Sequence, residues 1–271
     1  MNTKGDQSMY SRIYEPVSDL SAYLARIGAG PCEAADKEYL DRLISLHQTH
    51  IPFENLSIYD LDEPVSMDTE DLFDKLVKRG RGGFCFELNG LFCHLLKGCG
   101  YDVQEARARV VMDQVYGGHV PPGNHRIELV RLGGRYYFCD VGFGGPSPSG
   151  ALLVEDGYEE EMGGRRFCVE RMDEYWWRMG MCREEGFEPL IEFTLQPQDP
   201  VEFAPLAGYY STTPLSKFVA NRVLNLRTEK GRKSIFNDVY TLEEDGKVTE
   251  TAIRDTEDLW RIVREEFGIR I

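Results

Sequence analysis

The chain has 271 residues and a formal net charge of −15, with 42% hydrophobic and 28% charged residues. This composition is ordinary for a globular protein with a buried core. The negative charge argues against nucleic acid as a partner, because binding to phosphate backbones requires clustered cations.

Three features of the sequence bear on the compartment. No apolar run approaches the roughly 20 residues that a bilayer span requires, so we expect no membrane association. Residues 1–16 are polar and lack the apolar centre of a signal peptide. The seven cysteines are odd in number and form no CxxC pair, which favours reduced thiols over a disulfide framework. We therefore expect a soluble, cytoplasmic protein.

Four helices are predicted in the first hundred residues. Apolar residues at helical spacing indicate the first two, over 18–28 and 36–50. The third, over 68–80, has acidic residues in its first turn and basic residues in its last, which suits the helix dipole. The fourth begins near Phe84, carries leucines on one face and ends by Gly100.

From Tyr101 the hydrophobic period changes to two, which predicts strands. Short alternating or apolar runs continue to about residue 195 and are typical of an antiparallel sheet or a small barrel. Beyond Pro200 the sequence predicts a short helix, further strands over 233–242 and 247–253, and a terminal helix over 256–268.

Cys85 stands where a glycine-rich turn meets the fourth predicted helix, in RGRGGFCFELNG. A thiol at a helix start lies among unpaired backbone N–H groups at the positive end of the helix dipole, which favours the thiolate. We expect Gly82 and Gly83 to leave the approach to the sulfur open. The alternative is a buried structural cysteine, an interpretation that suits Cys93 and Cys99.

A nucleophilic thiol also requires a base, and the chain has five histidines. His94 lies more than two turns along the same predicted helix as Cys85 and cannot reach it. His47 and His50 close a helix, where the dipole favours histidine in any case. His119 lies in a loop rich in glycine and proline.

The fifth histidine, His125, begins a predicted β-hairpin with Gly133 and Gly134 at its turn. The register of a two-residue turn makes His125 and Asp140 diagonal neighbours on one face, with Cα atoms about 7–8 Å apart. A carboxylate that orients a histidine base is the arrangement of a Cys-His-Asp triad. The alternative is a structural His–Asp pair that bridges two strands.

Two other kinds of site are disfavoured. The cluster Cys85, Cys93, His94 and Cys99 matches no common zinc spacing and would not converge on a helix, so we expect no metal. The glycines before Cys85 do not form a phosphate loop, because the GxxxxGK[ST] pattern and a preceding strand are both missing.

Several motifs together resemble the arylamine N-acetyltransferase family. RGGFCFELNGLF is similar to the active-site signature of that family, and IPFENL, HRIELV and DVGFGG match three more of its segments in the family order. YYSTTPLSKF resembles its later segment that contacts coenzyme A. The resemblance covers roughly residues 10–220.

The resemblance implies that Cys85 is the nucleophile, His125 the base and Asp140 the orienting carboxylate. It implies ping-pong N-acetylation of arylamines and arylhydrazines by acetyl-CoA through an acetyl-Cys85 intermediate, a reaction of xenobiotic metabolism. We expect a monomer or weak homo-oligomer whose partners are these small molecules and coenzyme A, the acyl donor.

The resemblance also nominates binding residues. The substrate-binding candidates around the thiol are Phe53, Phe84 and Phe143. The coenzyme A candidates are Tyr209, Thr213, Ser216 and Lys217, with Arg222 as a further cation that could offset the acidic surface. We also expect an ion pair between Glu54 and Arg81, which flank the motifs.

The architecture that the resemblance implies is α+β. A helical bundle over 1–100 carries the cysteine, an antiparallel β-barrel over 101–200 carries the histidine and aspartate, and an α/β lid with a linking helix occupies 201–271. This arrangement is similar to that of the transglutaminase and papain-like cysteine enzymes.

Three alternatives stay open. An amide synthase of the same family would use another acyl donor with the same triad. A cysteine hydrolase or transglutaminase-like enzyme would deliver the acyl group to water or to lysine. A catalytically silent binding protein could also retain the triad by descent.

Overall fold

The computed structural model describes residues 10–111 and 122–271. The helices of this part of the chain are α1 Leu20–Arg26, α2 Lys37–His50, α3 Leu56–Tyr59, α4 Thr69–Phe73, α5 Cys85–Gly98, α6 Ala204–Thr212, α7 Lys217–Ala220 and α8 Thr256–Phe267. Among these residues, no helix combines the length and the apolarity that crossing a bilayer would demand.

The strands form two antiparallel sheets. Their bounds are β1 Phe53–Glu54, β2 Asp102–Val110, β3 His125–Leu132, β4 Arg135–Cys139, β5 Leu152–Leu153, β6 Tyr158–Met162, β7 Arg165–Arg171, β8 Trp176–Arg183, β9 Gly186–Gln198, β10 Val223–Arg227, β11 Gly231–Phe236, β12 Val239–Glu244 and β13 Lys247–Ala252. A barrel-like sheet has the order β5-β4-β3-β2-β9-β8-β7-β6, and a second sheet has the order β1-β10-β11-β12-β13.

The helix α5 lies at the centre of the helical layer. Twelve of its 14 residues are buried, and its packing partners include α4 and the strands β2 and β3. It begins at Cys85 because Phe84 has an extended backbone, with φ −94° and ψ 178°. The N–H of Phe84 donates to the carboxylate of Glu87 at 3.1 Å, which satisfies one of the groups that a helix start leaves unpaired. The predicted start of this helix is confirmed.

The first three predicted helices also form. α1 and α2 are capped by Asp19 and Asp36, whose carboxylates accept from backbone N–H groups three residues on. The third stretch is α4 followed by a π-helical turn over Asp74–Lys78.

The β3–β4 hairpin has the predicted register. Leu132 pairs with Arg135 and Glu128 with Cys139. Gly133 and Gly134 have φ of 57° and 81°, the left-handed conformations that a type I′ turn requires. The ladder stops at Cys139, so Asp140 lies just beyond the strand.

The second sheet was predicted less well. The single strand expected over 233–242 is wrong: β11 and β12 are separate strands that turn at Asn237, whose φ is 52°. Asparagine tolerates this left-handed conformation, so the Asn-Asp pair within the run was the turn signal. β1 and β10, which join the helical layer to this sheet, were not predicted.

The expectation of unpaired thiols is wrong for four of the seven cysteines. Disulfide contacts join Cys32 to Cys99 and Cys168 to Cys182, whereas Cys85, Cys93 and Cys139 are free and buried. Cys32 and Cys99 lie 67 residues apart in sequence, so the tertiary fold brings them together, whereas Cys168 and Cys182 lie 14 residues apart on the consecutive strands β7 and β8.

Glu128 on β3 is a buried carboxyl group without a hydrogen-bond partner among the described residues. Its exposed fraction is 0%, and neither carboxylate oxygen accepts a hydrogen bond. Burial raises the pKa of Glu128 well above its ordinary value, and the nearby guanidinium of Arg126 offsets only part of that effect. The folded protein therefore holds a proton that the unfolded chain releases above its own pKa of about 4.3. Folding stability consequently falls as the pH rises above that value.

We expect Glu128→Leu to stabilise the protein by about 1–3 kcal/mol, because it removes an unpaired buried polar group. The gain should grow as the pH rises from about 5 to about 9, and thermal unfolding across that range measures it. Glu105→Leu is the matched control, because Glu105 lies 2.6 Å from Arg126 and its loss leaves that guanidinium unpaired, at a cost of about 3–5 kcal/mol. A Glu128→Leu variant that unfolds more easily than wild type at every pH would contradict this account.

Candidate active site

Cys85, His125 and Asp140 converge on one buried point. Cys85 begins α5, His125 begins β3, and Asp140 follows β4; their exposed fractions are 3%, 1% and 3%. The Nε2 atom of His125 lies 2.6 Å from the Oδ2 atom of Asp140. The Cys85 side chain lies close enough to the same imidazole to contribute to its raised pKa. The His–Asp contact that the hairpin register predicts is confirmed.

The environment of His125 favours the charged imidazolium. Burial alone lowers the pKa of His125, but the charge and hydrogen bond of Asp140, together with the interaction with Cys85, outweigh burial and raise the pKa to about 10. Since Nε2 is held by Asp140, the other ring nitrogen, Nδ1, is left for the thiol. The site can therefore hold a positively charged imidazolium beside the Cys85 sulfur at neutral pH.

Asn89 holds the carboxylate of Asp140 in place. Its side-chain N–H₂ donates to the Oδ1 atom of Asp140 at 2.9 Å and to the carbonyl oxygen of Arg126, while its Oδ1 atom accepts from the N–H of Val141 at 2.9 Å. Sequence reasoning missed this residue. The available signal was its position one helical turn after Cys85, which puts both side chains on one face of α5.

Gly142 allows the aspartate segment to pack directly against the nucleophile. A Cβ atom at this position would lie 2.9 Å from the Cα atom of Cys85 and 3.0 Å from the side-chain nitrogen of Asn89. The N–H of Gly142 donates to the Oδ1 atom of Asp140 at 2.8 Å. The Cys85 backbone and the Asp140 loop can therefore approach this closely only because residue 142 is a glycine, which has no side chain.

The two glycines before Phe84 have a different role from the one expected. A Cβ atom on Gly82 would collide with the carbonyl oxygen of Pro52, and one on Gly83 would lie 2.8 Å from the carboxylate of Glu87. These glycines thus let the turn pack inside the protein. They do not open a path to the sulfur.

The predicted ion pair between Glu54 and Arg81 is confirmed. The Nη2 and Nε atoms of Arg81 lie 2.9 and 3.1 Å from the Oε1 atom of Glu54, and both side chains are buried. The other carboxylate oxygen of Glu54 accepts from the N–H of Leu56 at 2.6 Å. This pair fixes the turn that precedes α5 against β1.

A cavity of about 200 Å³ opens onto the thiol. Cys85 and His125 line it, and the aromatic side chains around it include Phe53, Phe143 and Phe218. Two of the three predicted substrate-binding phenylalanines thus reach the cavity. Phe84 does not line it, because this residue caps α5 and is fully buried against the rings of Phe86 and Phe218.

Only some of the residues predicted to bind coenzyme A line the cavity. Ser216 and Lys217 line the cavity, whereas Tyr209 and Thr213 do not; the neighbouring Tyr210 does instead. Tyr209 is 49% exposed on α6, and the hydroxyl of Thr213 accepts from the N–H of Leu215 at 3.4 Å.

Arg222 is not available to a phosphate in this structure. Its guanidinium binds the carboxylate of Asp60 through contacts of 2.7, 3.0 and 3.1 Å, and it also pairs with Asp238 at 3.1 Å. Asp60, which makes three of these contacts, lies 162 residues away in sequence, which is why the sequence alone could not reveal that pairing.

The other described histidines lie in structural settings. His47 is bonded to the hydroxyl of Tyr23 at 2.9 Å, and burial lowers its pKa to about 3. His94 lies 3.0 Å from the carbonyl oxygen of Ile13, and burial lowers its pKa to about 4. His50 contacts the carbonyl oxygen of Leu46, and His119 lies outside the described residues.

Comparisons with known proteins agree on one family. A family model described as N-acetyltransferase matches residues 36–271. The arylamine N-acetyltransferase of Mycobacterium tuberculosis is 32% identical over 256 residues, covering 93% of this chain and 90% of that protein. The Escherichia coli arylamine N-acetyltransferase is 28% identical, with coverages of 93% and 89%.

Solved structures give the same result. The M. tuberculosis arylamine N-acetyltransferase superposes with a TM-score of 0.86 at 31% identity, covering 93% of this chain and 94% of that one. The Mycobacterium marinum arylamine N-acetyltransferase, solved in complex with CoA, superposes with a TM-score of 0.85 at 28% identity, covering 93% of each chain.

Proposed function

Because the chain belongs to the arylamine N-acetyltransferase family and is an acyltransferase, we propose that it transfers acetyl groups from acetyl-CoA to arylamines and arylhydrazines through an acetyl-Cys85 intermediate. The observation that carries this proposal is the buried 2.6 Å contact between His125 and Asp140. It lies beside Cys85, which lines the cavity, whereas the other two free cysteines do not.

In the first half-reaction the Cys85 thiolate attacks the thioester carbon of acetyl-CoA. The bond between that carbon and the coenzyme A sulfur breaks, and the His125 imidazolium gives its proton to the departing thiolate. Exchange of one thioester for another is close to isoenergetic, so this step mainly requires positioning and a nucleophile that is already ionised.

In the second half-reaction the amine nitrogen attacks the carbonyl carbon of acetyl-Cys85. His125 is now neutral and accepts the proton that the amine loses, and Cys85 departs as a thiolate. Asp140 stabilises the imidazolium that forms again and keeps the ring in the orientation that both steps use.

The start of α5 supplies donors for the developing oxyanion. The backbone N–H groups of Cys85 and Phe86 lie in the first turn, where no preceding carbonyl accepts from them. They are our candidates for the two donors that would bind the tetrahedral intermediate.

The cavity walls protect the intermediate from water. Phe53 and Phe143 are 6% and 9% exposed, and both line the cavity that contains the thiol. Exclusion of water lets the acetyl-enzyme wait for an amine instead of being hydrolysed.

We place the pantetheine arm of coenzyme A at the side of the cavity formed by Ser216 and Lys217. Lys217 supplies a positive charge on a chain whose net charge is −15. The M. marinum relative, whose structure contains CoA, has the same overall fold and supports this choice of acyl donor.

The proposal also assigns a role to each layer of the fold. The helical layer, α1 to α5, carries the nucleophile at the start of α5. The barrel-like sheet carries the base and its carboxylate. The segment over 201–271, with the five-stranded sheet and α8, acts as the lid of the cavity.

Assays with acetyl-CoA and a panel of arylamines and arylhydrazines test the proposed reaction. We expect coenzyme A release that depends on the amine, an equal amount of N-acetylated product, and parallel double-reciprocal plots, which are the kinetic signature of a ping-pong mechanism.

The alternatives give different products in the same assays. Release of coenzyme A at full rate without amine would indicate a hydrolase, and acyl transfer to lysine would indicate a transglutaminase-like enzyme. Turnover with a carrier-bound acyl chain but not with free acetyl-CoA would indicate an amide synthase. Each of these results contradicts the proposed donor or acceptor.

A further inference from the structure

We propose that Cys168, Cys182 and Glu159 form a binding site for a zinc-like divalent cation once the disulfide between the two cysteines has been reduced. The site lies on the barrel-like sheet, away from the acetyl-transfer cavity, and is independent of the proposed function.

The register of three neighbouring strands brings the ligands together. Glu159 on β6 pairs directly with Cys168 on β7, and Cys168 pairs with Gly180 on β8. Cys182 is two residues beyond Gly180, so its side chain projects from the same face of the sheet. As a result the two sulfur atoms and a carboxylate oxygen of Glu159 all lie within 4.8 Å of one another.

The ligand types suit zinc. Thiolate sulfur and carboxylate oxygen are both ordinary zinc ligands, and a tetrahedral ion with Zn–S bonds of about 2.3 Å needs its sulfurs about 3.8 Å apart. The Cα atoms of the two cysteines are 5.9 Å apart, so rotation of the side chains is enough to reach that spacing. Three protein ligands leave the fourth position to water.

The three proposed ligands differ in solvent exposure, and the more exposed ones give an ion access to the site. Cys168 is 3% exposed, whereas Glu159 is exposed. Cys182 lines an open cavity of about 560 Å³ at the edge of the sheet. A reductant or a hydrated cation can reach the site from this cavity.

The surrounding charges permit a cation. The three arginines of this cavity are each paired with a carboxylate: Arg165 with Glu243, Arg166 with Glu159, and Arg183 with Glu188. The pair between Arg166 and Glu159 has a separation of 3.5 Å and joins two half-exposed side chains, so it is weak and a divalent ion can displace it. Glu161, Glu184 and Glu185 add negative charge to the same cavity.

Opening of the site is a thiol–disulfide exchange with a small dithiol as the reductant. The reductant thiolate attacks one sulfur of the disulfide, and its second thiol then releases the other cysteine. The products are two cysteine thiols and the oxidised reductant. Binding of the divalent ion then displaces two thiol protons.

The second disulfide of the chain serves as an internal control for the proposed metal site. Cys32 and Cys99 form the other disulfide, but no third histidine, cysteine or carboxylate ligand joins them within the described residues. A two-thiol set is a poor zinc site, so reduction of this pair should not create one.

Metal titration of the whole protein tests the proposal. Protein that has been reduced with a dithiol and then freed of reductant is titrated with Zn²⁺ against a chromophoric chelator, and with Co²⁺ to observe thiolate-to-cobalt absorption. We expect one tight site per chain in the reduced protein and none in the oxidised protein.

Matched variants locate the site. Cys168→Ser and Cys182→Ser should each abolish it, and Glu159→Gln should weaken binding by at least about 10–100-fold, the cost of losing even a group that only supports a ligand. Cys99→Ser should leave it intact, and all four variants should retain acetyl transfer. No tight zinc in the reduced wild type, zinc retained by Cys168→Ser, or zinc lost only when Cys85 is replaced would each overturn the proposal.

Discussion

Asp140→Asn is expected to lower kcat/KM for acetyl transfer by about 10⁴-fold, the size of effect seen when the carboxylate of a catalytic triad becomes an amide. The Oδ2 atom of Asp140 is 2.6 Å from the Nε2 atom of His125, and this contact is the main reason that the pKa of His125 rises to about 10 despite burial. An amide keeps the shape but removes the charge, so His125 loses its proton at lower pH and no longer stabilises the Cys85 thiolate.

The rate of Cys85 alkylation separates this effect from a loss of folding. In wild type, alkylation at neutral pH should be fast, because the protonated His125 beside the sulfur favours the attacking thiolate. In Asp140→Asn the rate should fall at neutral pH and follow an ordinary thiol. Asp19→Asn, at the start of α1, is the control, because asparagine caps a helix as well as aspartate does. Activity within tenfold of wild type, with an unchanged alkylation profile, would rule out the assigned role of Asp140.

Gly142→Ala is expected to reduce both stability and turnover. The new methyl group would lie 2.9 Å from the Cα atom of Cys85 and 3.0 Å from the side chain of Asn89. The Cα atom of Cys85 is part of the helix backbone and cannot rotate away as a flexible side chain can. The Asp140 loop must therefore move away from α5. Overpacking of this kind costs about 1–3 kcal/mol of folding stability, and a displacement approaching 1 Å in the catalytic constellation costs about 100-fold in rate.

Gly208→Ala is the matched control for that change. Gly208 lies within α6, and a Cβ atom built there meets no atom within 4 Å. Alanine in a helix interior is favoured over glycine by about 1 kcal/mol, so this variant should be as stable as wild type or more so. Chemical denaturation and steady-state kinetics measure both variants. A Gly142→Ala enzyme with wild-type stability and kcat would show that the close approach of the two segments is not required.

The parts of the site that were predicted from sequence are those set by local rules. The change of hydrophobic period from helical to alternating separates α5 from β2. The glycine-rich turn before Cys85 indicates where α5 begins. The Gly133-Gly134 turn fixes the β3–β4 register, and that register brings His125 to Asp140. Each of these inferences needs only residues that are close in the chain.

The parts that were not predicted depend on how distant segments pack. Asn89 reaches Asp140 only because α5 lies against the sheet, and Gly142 touches Cys85 for the same reason. The contact of Arg222 with Asp60 spans 162 residues. Alternation within a strand cannot reveal which carboxylate or amide a distant element will bring to it.

Trapping of the acetyl-enzyme tests the central claim most directly. Wild-type protein is mixed with acetyl-CoA and no amine, and its intact mass and peptide map are recorded; Cys85→Ala and Cys93→Ala are treated in parallel. The account predicts one added acetyl group on Cys85 in wild type and in Cys93→Ala, its removal when an arylamine is added, and no such adduct in Cys85→Ala. An unmodified wild-type protein, or the same adduct on Cys85→Ala, would contradict the account.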